Sequence, residues 1–61
     1  MHIRIVLHVV DEDRLLFAGP PGECPPIPRT GEEIIHDNRR VRLEGIRYQY
    51  WADQLEISLL A

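Results

Sequence analysis

The chain has 61 residues, 44% apolar and 28% charged, and its seven arginines stand against ten Asp plus Glu for a formal charge of −3. That length holds one small domain and leaves no room for two. The acidic balance argues against a generic nucleic-acid binder, which needs a strongly basic face, and no apolar run approaches the ~20 residues of a membrane-spanning helix.

From Met1 to Val10 apolar residues fall at Ile3, Ile5, Leu7 and Val9 while His2, Arg4 and His8 take the even positions, the period-two pattern of a strand. Val6 and Val10 make the second face partly apolar, which suits a central strand. The same stretch does not read as a secretory signal, so the expected location is the cytoplasm. Asp11 to Arg14 reads as a solvated turn, and Leu15 to Ala18 as a short strand folded back on the first.

Residues 19–31 hold all five prolines and three of the four glycines, a composition that forbids a helix or a central strand. The segment is expected to be a loop, and loops of that length in compact domains tend to be functional or disordered. Glu32 to His36 then reads as a strand, followed by tight-turn chemistry at Asp37 and Asn38.

Val41 and Leu43 share one parity, whereas Ile46, Tyr48 and Tyr50 share the other, and Gly45 sits where the parity switches. That pattern predicts one strand from Val41 to Trp51 carrying a β-bulge at the glycine. Ala52 to Gln54 turns the chain into a closing strand with Leu55, Ile57 and Leu59 inward. The expected fold class is therefore all-β: a small, strongly bent antiparallel sheet of about five strands, or a partly open SH3-like barrel, which leaves few exposed edges.

The run Pro28-Arg29-Thr30-Gly31-Glu32-Glu33-Ile34, followed by Val41-Arg42-Leu43-Glu44-Gly45-Ile46-Arg47-Tyr48, resembles short uncharacterised β-barrel-like proteins of bacteria and their phages. The resemblance covers about the C-terminal half. It implies a small barrel, and by analogy the role of a phage accessory protein that binds and blocks host machinery, as anti-CRISPR-like inhibitors do.

Candidate chemistry is sparse. His2 and His8 on one extended strand stand about 20 Å apart and cannot share an ion, and Cys24, His8 and His36 lack paired-ligand spacing, so neither a metal nor another cofactor is expected. Cys24 has acidic Glu23 beside it, unlike an activated thiolate, and as the only cysteine it excludes an internal disulfide. A chain this short has a small core to set against roughly 1.5 kcal/mol of ordering entropy per residue. That margin favours a protein partner or a homodimer, with the closing strand Leu55 to Leu60 as the expected self-pairing edge.

Two surfaces remain. Pro25-Pro26-Ile27-Pro28-Arg29 fits a P-x-x-P polyproline II ligand with a flanking arginine, or else a rigid crossover that lends Ile27 to the core. Arg39, Arg40, Arg42 and Arg47 interleave with Tyr48, Tyr50 and Trp51 in the one basic and aromatic concentration of the chain. It can serve a protein interface anchored on Trp51 or a stacking platform for single-stranded nucleic acid, unless Glu32, Glu33 and Glu44 neutralise the arginines across strands. The expected function is a non-enzymatic protein-binding module contacting its partner through Arg39, Arg40, Arg42, Arg47, Tyr50, Trp51, Pro26, Ile27 and Arg29, with nucleic-acid binding as the alternative.

Overall fold

A computed structural model describes residues 1–61 as six strands in two sheets. They are β1 His2–Val9, β2 Glu12–Gly19, β3 Glu33–His36, β4 Arg39–Arg42, β5 Gly45–Trp51 and β6 Gln54–Leu60. The larger sheet has the order β2-β1-β6-β5, and β3 and β4 form the smaller one. The all-β expectation holds. No closed barrel forms, and the sheet is mixed rather than antiparallel, because β6 runs parallel to β1 with Ile3 opposite Leu55, Ile5 opposite Ile57 and Leu7 opposite Leu59.

The odd-numbered residues of β1 and β6 therefore face one side together. Ile3, Ile5, Leu7, Ile57 and Leu59 are all buried there, joined by Leu43. The cover over this face comes from the smaller sheet and the proline segment, since Ile34, Val41, Cys24 and Ile27 pack against the same cluster. Burial of a large aliphatic side chain is worth about 1.5–3 kcal/mol, so these six residues hold most of what stabilises the chain.

Several sequence expectations shift. The β1–β2 connection needs only Val10 and Asp11, Asp11 taking the left-handed region at φ 72°, and β2 extends back through the charged Glu12-Asp13-Arg14. The bulge lies in this hairpin instead of at Gly45: Ile5 pairs with Phe17 and Val6 with Leu15, leaving Leu16 as the extra residue. The Val41–Trp51 run is two strands in different sheets, and its parity switch marks the crossing from one to the other at Leu43 and Glu44.

Leu43 is 1% exposed and is fixed by two backbone bonds: its N–H donates to the Glu32 carbonyl (2.9 Å) and its carbonyl accepts from Gly31 N–H (2.8 Å). β6 lies between β1 and β5, so the closing strand cannot be a self-pairing edge; β2 and β5 are the edges of the large sheet. The proline segment contains a 3-10 turn at Pro21–Glu23, and Pro20 and Cys24 flank it in extended conformations.

Candidate functional site

The two-residue loop Asp37-Asn38 joins β3 to β4 with φ of 51° and 63°, the left-handed pair that a type I′ hairpin turn requires. Asp and Asn tolerate that region better than other non-glycine residues. The tight turn projects the hairpin tip toward the end of the large sheet where β1 passes into β2. Between them opens a groove of about 600 Å³ whose walls include Val9, Glu12 and Arg14 on one side and His36, Asp37 and all of Arg39 to Arg42 on the other.

Side chains of consecutive strand residues point to opposite faces. Four consecutive residues of β4 lining one groove therefore mean that it runs along the backbone edge of the strand. That edge is unpaired, because β4 bonds only to β3.

Four arginines, Arg14, Arg39, Arg40 and Arg42, line the groove against the carboxylates of Glu12 and Asp37, a local positive excess in a chain of charge −3. They are not equally free. Arg14 is engaged twice, Nε 3.2 Å from Glu12 and Nη2 3.2 Å from Asp37. Arg40 lies 3.9 Å from Glu33, a loose exposed pair worth little. Arg39 and Arg42 have no carboxylate within 4.0 Å. Cross-strand neutralisation is thus limited to Arg40.

His36 stands beside the tip with Nε2 buried and without a hydrogen bond, 3.3 Å from Asp37 Oδ2. It also borders a second cavity of about 200 Å³, walled by Ile5, Leu16, Ile34, Leu59 and Pro25, Pro26 and Pro28.

The structure separates what the sequence places side by side. Arg39, Arg40 and Arg42 lie on β4, while Arg47, Tyr50 and Trp51 lie on β5 in the other sheet. Within β5 the register opposes Tyr48 to Ile57 and Tyr50 to Leu55, on the core-facing side, and opposes Arg47 to Ser58 and Trp51 to Gln54 on the outer side. A single arginine and aromatic platform does not exist. Tyr50 is nevertheless 70% exposed and Tyr48 51%, because the smaller sheet does not cover that end of the face.

Pro26 is exposed on the wall of the smaller cavity, whereas Ile27 is half-buried against the core, which is the crossover reading and removes it from the contact surface. Arg29 is exposed at a turn whose backbone N–H donates to Glu32 Oε1 and whose carbonyl accepts from Glu32 N–H at 3.0 Å. Cys24 is half-buried, its Sγ 3.4 Å from the Pro25 carbonyl. Glu12, Arg14, His36 and Asp37 are the charged or titratable groove residues that sequence reading does not assign to the site. Only the Asp37-Asn38 turn signals the hairpin tip, and nothing local brings Arg14 to it.

No helix is long and apolar enough to cross a membrane. Compared with known protein families, with curated proteins and with solved structures, the chain matches none.

Proposed function

We propose that this chain is a non-enzymatic protein-binding module whose arginine groove takes an extended acidic segment of a partner protein. The observation that supports this reading is an unpaired strand edge lined by three arginines, two of them free of carboxylates. A peptide laid along β4 gains main-chain hydrogen bonds from the edge, and acidic side chains gain charge-assisted bonds from planar guanidinium forks. Such a module acts by occupying a partner's surface, the role in a host cytoplasm suggested by analogy from the resemblance to short β-barrel-like proteins of bacteria and phages. The distance of the groove from Tyr48, Tyr50 and Trp51 favours a peptide over single-stranded nucleic acid, whose bases need an aromatic platform.

The test is fluorescence anisotropy with a labelled short peptide alternating Glu and Val. Removing Arg39 and Arg42 together breaks no ion pair in the free protein, so the fold is expected to survive. The double variant R39A/R42A is expected to bind at least roughly tenfold more weakly, about 1.4 kcal/mol. Arg29→Ala, outside the groove, is expected to change nothing. Equal binding by the double variant, or a preference for an oligothymidylate over the peptide, overturns the proposal.

A further inference from the structure

The large sheet ends in two unpaired strands that differ in how they meet solvent. β2 carries Glu12, Asp13 and Arg14, the Leu16 bulge and, directly after Gly19, two prolines. Charges, bulges and prolines are the devices that keep an edge from pairing with another chain. β5 has none of these except Arg47. It is seven residues long and regularly paired with β6, and no backbone hydrogen bond joins its outer side to the rest of the chain. Its exposed side chains include Tyr48, Tyr50 and Trp51, the last 55% exposed.

We infer that β5 is a self-pairing edge, through which two copies of the chain join antiparallel about a two-fold axis at Gln49. A two-fold contact uses the same patch on both copies, so residue and partner residue are fixed once the centre is chosen. With the axis at Gln49, Tyr48 stands opposite the partner's Tyr50, and Arg47 opposite the partner's Trp51. Symmetry repeats each pair.

Aromatic cross-strand pairs and arginine on an indole face are both stabilising, and no like charges stand directly opposite. An axis at Tyr48 places Trp51 against the partner's Gly45, which has no side chain to receive it. An axis at Tyr50 carries Arg47 past the strand to the partner's Asp53, in the turn. Only the Gln49 centre uses all three exposed aromatics. It also continues the core-facing side of the sheet, where Tyr48 and Tyr50 are otherwise left uncovered.

Sedimentation equilibrium over micromolar to millimolar protein is expected to show a monomer–dimer equilibrium. Trp51→Arg sets arginine against the partner's Arg47 twice and is expected to weaken the dimer at least about tenfold, whereas Trp51→Glu supplies an ion pair there and keeps it. Trp51 is an exposed strand end, so circular dichroism should find both variants folded. Independently, Gln49→Cys in a Cys24→Ser background is expected to cross-link to itself on mild oxidation, since the axis brings the two copies of residue 49 together. A wild-type chain that stays monomeric throughout, equal dimerisation of the two Trp51 variants, or failure of the cysteine to cross-link overturns the inference.

Discussion

Gly31 and Gly45 stand before and after the smaller sheet in the chain, yet the backbone requires glycine at only one of them. Gly31 has φ 92°, occupies the turn closed by the Glu32 N–H and donates to the Leu43 carbonyl, so its conformation positions a fully buried leucine. Gly45 has no positive φ, and a Cβ there would meet the nearest atom, Leu60 Cδ1, at an ordinary 3.7 Å. Gly31→Ala is therefore expected to destabilise the protein by about 1–2 kcal/mol in urea unfolding, the cost of a left-handed L-residue. Gly45→Ala is expected to be neutral or stabilising by up to about 1 kcal/mol through loss of unfolded-state freedom. A sequence reading that rests on Gly45 as a bulge ranks the two in the opposite order, because a glycine at a parity switch looks the same whether the chain bulges or changes sheet.

At the scale of elements, the β3–β4 hairpin links fold to groove through one residue. Asp37 is half of the left-handed turn, and its carboxylate also holds Arg14 at 3.2 Å and approaches His36 Nε2. Substitution by glycine separates the two roles, since glycine adopts the same turn without the carboxylate. Asp37→Gly is expected to leave thermal stability within about 0.5 kcal/mol, the exposed ion pair contributing little. It should tighten binding of the Glu-Val peptide several-fold, because it removes one of the two carboxylates that engage Arg14 and raises the positive excess of the groove; weaker binding would show that the carboxylate organises the site instead of competing for it.

The turn itself is legible from Asp-Asn between two β-favouring runs, and alternation makes the inward faces of β1 and β6 legible too. Alternation does not say which strands are neighbours. The parallel β1–β6 pair, the internal place of β6 and the approach of Arg14 to the hairpin tip all depend on partners distant in sequence, and no short-range pattern encodes them.

Over the whole molecule, that parallel pair ties the beginning of the chain to its end. β6 supplies Ile57 and Leu59 to the core, each 1% exposed, and is the only strand through which β5 is attached to β1. Losing those two side chains alone forfeits about 3–6 kcal/mol, comparable to the whole ~3–5 kcal/mol that a core of this size provides. A chain ending at Asp53 is accordingly expected to lose all cooperative structure rather than fray at one edge, although it keeps the complete β1–β2 and β3–β4 hairpins. Without β6 the β3–β4 hairpin has only the β1 half of its packing face to cover, and an isolated hairpin is marginal in water. Amide nuclear magnetic resonance provides the check: collapsed dispersion throughout the shortened chain is the expected spectrum. Native shifts persisting for Ile3 to Phe17 would mean that the β1–β2 hairpin and its cover form a core independent of the long-range pair.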